Sequence, residues 1–392
     1  MKTELARGIY WVGAIDWNIR DFHGYSTHRG TTYNAYLIVD EKVALIDTVK
    51  APFFDEMLAR LRELIDPSKI DYVISNHVEM DHSGSLPQIL QIAPDAKLVT
   101  TAKFGESGLM KNFHSRWPFV PVKEGSELSL GKRKLVFIPM PMLHWPDSMA
   151  TYCPDEAIMF SNDAFGQHYA TSRRFDDEVE LPTVMQEAAK YYANILMPFS
   201  NLITKALEKL SQLKMDLIAP SHGIIWRSHR NVILNAYAGW AGGGGKKKVV
   251  IVYNTMWGST EKMARALAQG VAEQDVEYAI YDLARSDRSD IITDVLTSRG
   301  IAVGSATLNN GMLPQTAAFL CYLKGLRPVA KIGTAFGSFG WGGGAVKAIE
   351  EELKLAGVEV AVPGISLRYV PEPAELEQCR NLGKDLAARV SA

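Results

Sequence analysis

The chain has 392 residues, of which 47% are hydrophobic, and a formal net charge of −2, an ordinary composition for a globular protein of two domains. The near-neutral charge gives no basis for binding nucleic acid or an anionic membrane, and neither a signal-peptide pattern at residues 1–7 nor an apolar run of bilayer length occurs, so we expect a cytoplasmic protein. Cys153, Cys321 and Cys379 form no C-x-x-C pair, which argues against a disulfide framework and against a fused cysteine-ligated iron site.

The chain opens with short strands. Residues 9–12, 33–39 and 42–47 are rich in β-branched and aromatic side chains and are joined by turns, so we expect a meander. Apolar side chains then recur at helical spacing from Phe54 to Ile65. These elements predict a first domain of mixed strands and helices.

A group of polar residues follows the next strand. The apolar run at residues 70–75 indicates a buried strand, and His77, Glu79, Asp81 and His82 come soon after it. In an extended loop, alternation would send His77, Glu79 and Asp81 to one side, and His82 could turn in where the loop bends. Packing does not require so many ligand-type side chains, so the stretch predicts a metal site.

Three more predicted strands each lead to one residue of the metal-ligand type. The strands are residues 134–138, 157–161 and 216–220, and the residues that follow them are His144, Asp163 and His222. Because such loops open at the same edge of a fold, we expect all four to meet. The resulting nitrogen and oxygen ligands, without thiolate, suit two divalent metals and leave both iron and zinc open.

A glycine run closed by three lysines interrupts the pattern at residues 241–248. Such a run is typical of a flexible, solvated connection between two domains. We therefore predict one domain over residues 1–246 and a second over residues 247–392.

The second domain begins with a strand, a hydroxyl-rich turn and a helix. Residues 248–253 are predicted as the strand and residues 261–268 as the helix. Backbone N–H groups and the hydroxyls of Thr255, Ser259 and Thr260 can bond phosphate oxygens at the start of such a helix. The turn lacks the Gly-Lys-Ser/Thr of a nucleotide P-loop, so a monophosphate is expected rather than ATP.

Two further strand-to-loop transitions, after residues 300–304 and 331–337, complete a pattern that resembles the three FMN-binding loops of flavodoxin. Backbone groups of such loops bond the polar edge of the flavin ring, and Trp257 or Trp341 could stack on it. The family usually carries proline where Ala306 stands. The residues that the resemblance implies for FMN binding are Thr255, Met256, Trp257, Gly258, Ser259, Thr260, Ser305, Ala306, Thr307, Leu308, Asn309, Asn310, Gly311, Ser338, Phe339, Gly340, Trp341, Gly342 and Gly343.

A later glycine pattern formally matches a dinucleotide-binding fingerprint. Gly340, Gly342 and Ala345 precede a predicted helix, and Glu359 follows at the expected spacing. Only about fifty residues remain after the glycines, too few for the two halves of a Rossmann domain. NAD binding is therefore not expected.

The spacing of the ligand-type residues resembles a known family. H-x-E-x-D-H at residues 77–82, followed by His144, Asp163 and His222, looks like the H-x-H-x-D-H motif of the metallo-β-lactamase fold with one histidine changed to glutamate. That change is the hallmark of the flavodiiron proteins, and the resemblance extends over the whole chain. It implies a metallo-β-lactamase-like αββα sandwich of the α+β type, followed by a flavodoxin-like doubly wound parallel sheet of the α/β type.

The resemblance also implies site residues. Seven ligands would hold two irons: His77, Glu79 and His144 one iron, Asp81, His82 and His222 the other, and Asp163 as the bridge. Family members differ in whether the histidines equivalent to His82 and His144 both bind iron. Near the irons, His23, His168 and Tyr192 resemble family residues that could supply a proton or hydrogen bond to bound oxygen species.

In function, the resemblance implies an oxidoreductase that passes electrons from a separate small protein, usually rubredoxin, through FMN to a di-iron site. The site would reduce dioxygen to water, nitric oxide to nitrous oxide, or both. The chains would pair head to tail as a homodimer or a dimer of dimers. Two alternatives stay open: a di-zinc hydrolase with a regulatory flavodoxin domain, which Glu79 disfavours, and a flavodoxin-like carrier with a metal-free appendage, which leaves the ligand-type residues without a role.

Overall fold

The computed structural model describes residues 3–392. By their contacts these residues form two compact units: the chain up to Tyr191 with Leu202–Tyr237, and Tyr192–Asn201 with Ala238–Ala392. The predicted boundary between residues 246 and 247 falls within a strand, and it stays a prediction. Across the described residues, no helix combines the length and the apolar character needed to cross a membrane.

The first unit contains two main β-sheets and several helices. Its strands are β1 Thr3–Ala6, β2 Ile9–Trp11, β3 Ala14–Asp16, β4 Asp21–Phe22, β5 Tyr25–Ser26, β6 Thr31–Tyr33, β7 Tyr36–Val39, β8 Val43–Ile46, β9 Tyr72–Ile74, β10 Lys97–Thr101, β11 Phe119–Val122, β12 Glu127–Ser129, β13 Lys134–Pro139, β14 Met149–Cys153, β15 Ile158–Asn162 and β16 Leu217–Pro220. Its helices are α1 Phe54–Arg62, α2 Met80–Ser83, α3 Leu86–Ile92, α4 Gly105–Phe113, α5 Leu181–Tyr191, α6 Ser200–Leu210 and α7 Arg230–Ala241, the last two extending into the second unit.

The two sheets of this unit share an apolar core. One has the strand order β1-β2-β7-β8-β9-β10-β11 and the other the order β12-β13-β14-β15-β16. Buried side chains of both sheets, including Ile38, Val99, Phe137 and Phe160, form a single cluster. A second cluster joins the other face of the larger sheet to α1, α3 and α4. The arrangement is the sandwich that the sequence predicts.

Strand direction explains why the loops with ligand-type residues meet. Strands β13 and β15 both run antiparallel to β14, and β16 runs parallel to β15. The three strands β13, β15 and β16 therefore release their following loops at the same edge of the sheet. Strand β14, which the sequence patterns did not predict, is what allows β13 and β15 to share one direction.

Two predicted elements of this unit differ from the structure. The strand predicted at residues 33–39 is divided into β6 and β7 around Asn34. The Asn34 side chain accepts a hydrogen bond from Trp11 Nε1 and donates one to the carbonyl of Pro220. These bonds hold the buried amide in place where the strand is interrupted. Helix α1 ends at Arg62 rather than extending to Ile65.

The second unit is built on a parallel sheet. Its strands are β17 Lys246–Asn254, β18 Glu277–Asp282, β19 Ser298–Ser305, β20 Thr307–Leu308, β21 Gly311–Met312, β22 Ile332–Phe339, β23 Glu359–Val360 and β24 Ile365–Arg368. Its helices are α8 Ser259–Ala272, α9 Arg288–Thr297, α10 Pro314–Leu326, α11 Ala345–Leu355 and α12 Pro373–Ser391. The sheet order is β18-β17-β19-β22-β23, with β24 also paired to β22, which is the flavodoxin order 2-1-3-4-5. Ligands of such sheets bind where the strand order reverses, here beside the loops after β17 and β19.

The predicted flexible connection is partly ordered. Residues 246–248 lie in β17 and pair with both neighbouring strands. The side chain of Lys248 is 12% exposed, and its Nζ lies 3.0 Å from Asp294 and 3.4 Å from Glu277. These lysines therefore belong to the sheet: Lys246 and Lys247 are exposed to solvent, and ion pairs accommodate the charge of the less exposed Lys248.

Candidate metal centre and cofactor pocket

Two histidines of the first unit converge on one carboxylate. Nε2 of His77, which follows β9, lies 3.3 Å from Oε2 of Glu79. Nε2 of His144, in the loop after β13, lies 3.3 Å from the same oxygen. The three side chains form a group that could hold a metal ion.

A second group has the same composition. Nε2 of His222, which follows β16, lies 3.1 Å from Oδ2 of Asp81, and Nε2 of His82 lies 3.3 Å from that oxygen. All three side chains are buried. Two histidines and one carboxylate again meet.

Asp163 joins the two groups. Its Oδ1 lies 3.1 Å from His82 Nε2 and 3.5 Å from His222 Nε2, and its Oδ2 lies 3.6 Å from His144 Nε2 and 3.8 Å from His77 Nε2. Each oxygen thus faces one group. One carboxylate can bridge two ions in such an arrangement.

The backbone sends the ligand-type residues of residues 77–82 to different groups. Glu79 is extended, whereas residues from Met80 to Ser83 form the short helix α2. The prediction that alternation would place His77, Glu79 and Asp81 on one side is therefore wrong. Glu79 turns to the first group, and Asp81 and His82 turn to the second, because the chain becomes helical between them.

Backbone and carboxylate partners fix two of the imidazoles. His77 Nδ1 donates to Asp147 Oδ2 at 2.9 Å, and His222 Nδ1 donates to the carbonyl of Thr32 at 2.7 Å. With the proton held on Nδ1, the Nε2 lone pair of each ring is left for a cation placed among the carboxylates of its group. Asp147 and Thr32 were not among the predicted site residues, although Asp147 lies in the same loop as His144.

His23 contacts the first group directly. It lies between β4 and β5, and its Nε2 donates to Glu79 Oε1 at 2.8 Å. Burial by itself would raise the pKa of Glu79, but the neighbouring histidines, with His23 hydrogen-bonded to it, lower that pKa below its ordinary value. Glu79 is therefore held as a carboxylate.

His168 lies beside the second group. Its ring centroid is 4.9 Å from that of His222, and its Nδ1 forms a hydrogen bond of 2.7 Å with the Thr31 hydroxyl. Burial lowers the pKa of His168 well below its ordinary value. The imidazole is thus neutral at physiological pH.

The tyrosine at this site is not the one that the sequence predicted. The hydroxyl of Tyr191 donates to Asp163 Oδ1 at 3.0 Å. The hydroxyl of Tyr192 instead forms a hydrogen bond of 3.0 Å with Ser200. Helix α5 ends at Tyr191 and a π-helical turn begins at Tyr192, so the two side chains have different surroundings. The sequence alone does not show which of two adjacent tyrosines contacts the metal centre, because that depends on where the π-helical turn begins.

The second unit contains a cavity of about 640 Å³ at the carboxyl edge of its sheet. Most predicted flavin residues line it: Thr255, Met256, Trp257, Ser259, Ala306, Thr307, Leu308, Asn309, Asn310, Ser338, Phe339, Gly340, Trp341 and Gly342. Five predicted residues do not line it: Gly258, Thr260, Ser305, Gly311 and Gly343. Tyr369 and Val370 line it without having been predicted.

Several of these residues shape the loops rather than face the cavity. The hydroxyl of Thr260 is buried and lies 3.1 Å from the Ser338 hydroxyl, so it joins the first and third loops. Ser305 accepts a hydrogen bond from Leu313 N across the second loop. Gly258, at φ +84°, has the left-handed conformation that lets the first loop turn into α8. The predicted phosphate role of Thr260 stays a prediction.

Two family models match the chain. The model described as ODP family beta lactamase matches residues 31–223, and the flavodoxin model matches residues 251–383. The nitric oxide reductase of Moorella thermoacetica is 54% identical, over 99% of both chains. The anaerobic nitric oxide reductase flavorubredoxin of Escherichia coli O1:K1 is 43% identical, over 99% of this chain and 82% of the relative.

Two solved structures are similar over the full chain. The rubredoxin oxygen:oxidoreductase of Desulfovibrio gigas has a TM-score of 0.97 and 40% identity, with 100% of this chain and 99% of that chain covered. The flavodiiron protein of Giardia intestinalis has a TM-score of 0.97 and 39% identity, with 100% and 97% covered.

The chain belongs to the flavodiiron protein family. The predicted fold class and family are thereby confirmed, and the protein is an oxidoreductase whose cofactors are FMN and a di-iron centre.

Unpartnered polar atoms of this flavodiiron protein fit the two irons. Buried atoms without a hydrogen-bond partner include both carboxylate oxygens of Asp81, both ring nitrogens of His82, Nε2 of His144 and His222, and Oδ2 of Asp163. Burying such atoms without a partner is costly, and cations among them would remove that cost. Each group combines two histidines with one carboxylate, a set typical of non-haem ferrous iron.

The flavin pocket of this flavodiiron protein fits FMN. Its volume falls within the range usual for cofactor sites, and Ser259, the first residue of α8, lines the cavity, so the N-terminus of that helix lies at its wall. The side chains of Trp257 and Trp341 are 92% and 93% exposed, so neither is committed to packing within the unit. Both remain available to the isoalloxazine ring.

Substitution of Asp147 tests how the first group is positioned. We expect Asp147→Ala to weaken iron binding by roughly 10- to 100-fold, because His77 loses the carboxylate that fixes its ring. Asp147→Asn is the matched control, since an amide oxygen can still accept from His77 Nδ1 and from Val78 N. Iron affinity can be measured by competition with a chelator. Equal affinity of Asp147→Ala and the unmodified protein would contradict this role.

Proposed function

We propose that this flavodiiron protein reduces nitric oxide to nitrous oxide and also dioxygen to water. The electrons would come from a small redox protein of the rubredoxin type and would reach the irons by way of FMN. Nitric oxide is the first substrate to test, because the relative that is 54% identical is named for that activity. Dioxygen is the second, because the Desulfovibrio gigas relative is named for oxygen and rubredoxin.

One observation carries the proposal: two groups of matching composition share Asp163. By this proposal His77, Glu79 and His144 hold one iron, Asp81, His82 and His222 the other, and Asp163 bridges them. The distances of each Asp163 oxygen to one group support the bridge. When bound, the two irons supply the electrons that reduce the diatomic, and FMN supplies electrons to the irons.

The chain's own side chains then provide positioning and protons. Asp147 and the Thr32 carbonyl orient His77 and His222, as their hydrogen bonds indicate. Both reductions consume protons because each forms water, and His23 is placed to deliver a proton because its Nε2 bonds Glu79 at 2.8 Å and its side chain is 17% exposed. We propose Tyr191, rather than the predicted Tyr192, as a second proton donor, because its hydroxyl donates a hydrogen bond to Asp163 Oδ1.

His168 has a different proposed role. Its Nε2 has no hydrogen-bond partner among the described residues, and its depressed pKa keeps the ring neutral. A neutral imidazole beside His222 can form a hydrogen bond without adding a positive charge to the site. We propose that His168, through this hydrogen bond, orients a bound oxygen-containing species.

The test uses the protein loaded with iron and flavin. After anaerobic reduction, it is mixed in a stopped-flow instrument with nitric oxide or with dioxygen, and flavin absorbance is followed. We expect rapid flavin reoxidation with nitric oxide and stoichiometric nitrous oxide in the headspace. Protein stripped of iron, with FMN retained, is the control for direct flavin oxidation. Equal reoxidation rates with and without iron would overturn the proposal.

The electron donor requires its own test. Reduced rubredoxin should reduce the bound FMN in catalytic cycles, whereas NADH alone should not, because the second unit has the flavodoxin strand order rather than two dinucleotide-binding halves. Turnover with NADH and no carrier protein would contradict this assignment.

We also propose a head-to-tail homodimer, in which the flavin of one chain serves the irons of another. Exposed apolar side chains border each site within its own unit: Trp257 and Trp341 at the flavin pocket, and Met80, Met142 and Trp145 beside the ligand loops. Patches of this kind are typical of interaction surfaces. Light scattering should give at least twice the chain mass, and Trp341→Arg should lower it together with turnover. A fully active monomer would contradict this arrangement.

A further inference from the structure

A fourth wall of the flavin pocket comes from outside the three flavodoxin-type loops. Strand β24 pairs in parallel with β22, with Phe339 opposite Arg368, so the two strands end side by side. Tyr369 and Val370 follow β24 directly and line the cavity. Their side chains are 60% and 58% exposed, so packing within the unit does not explain their position.

Tyr369 is held in an unusual backbone conformation. Its φ is +60°, in the left-handed region that non-glycine residues seldom adopt. Its N–H donates to the carbonyl of Phe339 at 2.7 Å, which fixes the residue against the third loop. Strain of this kind is concentrated at functional sites and ligand clamps.

Arg368 fixes the ring of Tyr369 and the third loop together. Its Nε donates to the Gly340 carbonyl at 2.9 Å, and its guanidinium carbon lies 4.9 Å from the centroid of the Tyr369 ring. A Cβ placed on Gly340 would lie 3.7 Å from Tyr369 Cε1, so the ring packs beside that glycine. Arg368 thus holds an exposed aromatic ring at the mouth of the cavity.

We propose that the Tyr369 ring contacts the isoalloxazine of FMN and sets both its affinity and its reduction potential, with Arg368 as a positioning residue. An aromatic ring beside the flavin contributes stacking energy. Its electron-rich face also disfavours added electron density on the flavin, which lowers the reduction potential. This inference rests on FMN binding in this cavity and is independent of which diatomic the irons reduce.

Tyr369→Gly separates a binding role from a structural one. Glycine adopts a positive φ without strain, so the substitution should leave the flavin-free protein at least as stable as the original. Loss of the ring should nevertheless raise the Kd for FMN by roughly tenfold and raise the flavin reduction potential. A merely structural residue would give the opposite result, with lower stability and unchanged affinity for FMN.

The experiment measures FMN affinity by titrating flavin-free protein and following flavin fluorescence, with the reduction potential measured by spectroelectrochemistry. Tyr369→Phe keeps the ring and should match the original protein in both. Tyr278→Ala removes an exposed tyrosine that does not line the cavity and should also change neither. Arg368→Lys keeps the positive charge but loses the Nε donor to Gly340 and the flat guanidinium beside the ring, so it should shift affinity and potential in the same direction as Tyr369→Gly, by a smaller amount. Unchanged affinity and potential in Tyr369→Gly would overturn the proposal.

Discussion

Replacing Asp163 with asparagine should empty the metal centre and leave the flavin bound. Asp163 is fully buried, and its two oxygens face different groups of ligand-type residues. Asparagine keeps the size of the side chain but puts an N–H₂ group in place of one oxygen, and an amide nitrogen has no free lone pair for a metal. Iron should fall well below two per chain, and nitric oxide turnover should fall by about 100-fold or more, since even outer partners of a ligand can cost 10- to 100-fold.

The matched control is a buried carboxylate of the same unit with no metal-ligand neighbours. Asp176 is 0% exposed and accepts hydrogen bonds from the backbone N–H groups of Arg227, Ser228 and His229. In Asp176→Asn the amide oxygen can still accept from Arg227 and Ser228 although the contact with His229 is lost, and no residue of either ligand group is touched, so iron content should stay near that of the original protein. FMN content should be unchanged in both variants. Full iron content and turnover in Asp163→Asn would show that Asp163 is not a bridge.

Gly344→Ala should have the opposite effect to Asp163→Asn: the protein should lose flavin and keep its iron. Gly344 has an extended φ, so alanine adds no backbone strain there. A Cβ at this position would nevertheless lie 2.1 Å from the carbonyl oxygen of Asn310, in the loop that lines the cavity. Overpacking of this kind costs about 1–3 kcal/mol, so FMN affinity should fall by roughly 5- to 150-fold as the loop moves away.

The neighbouring glycine provides the control. A Cβ on Gly343 would meet its nearest atom, Ser366 Oγ, at 3.6 Å, which is ordinary contact. Gly343→Ala should therefore bind FMN like the original protein. Flavin per chain after desalting and iron per chain distinguish the variants. Equal flavin retention in Gly344→Ala and Gly343→Ala would contradict the proposed role of the second loop.

Residue types in the sequence were enough to predict where the ligands come from. His144, Asp163 and His222 each follow a predicted buried strand, and in the structure they meet His77 and His82. Strand direction makes this convergence a general property of such folds. How the ligand-type residues divide into two groups came only from the family resemblance, because the residue pattern alone does not show the change from extended to helical backbone at Met80.

The roles of residues that depend on local backbone geometry could not be predicted from the sequence. The choice between Tyr191 and Tyr192 depends on a π-helical turn that no periodicity announces. Tyr369 follows a short strand near the end of the chain, and its place at the cavity depends on the pairing of β24 with β22. Lys248 was predicted at the junction of a solvated linker and a strand, and its ion pair with Asp294 could not be predicted because Asp294 lies in a distant part of the chain.

The most direct test of the account is the metal and flavin content of the purified protein, measured together with its visible spectrum. Protein expressed with ample iron should contain about two irons and one FMN per chain, since each group of two histidines and one carboxylate suits ferrous iron. Zinc in place of iron under the same conditions would contradict the account and would favour a metal-dependent hydrolase.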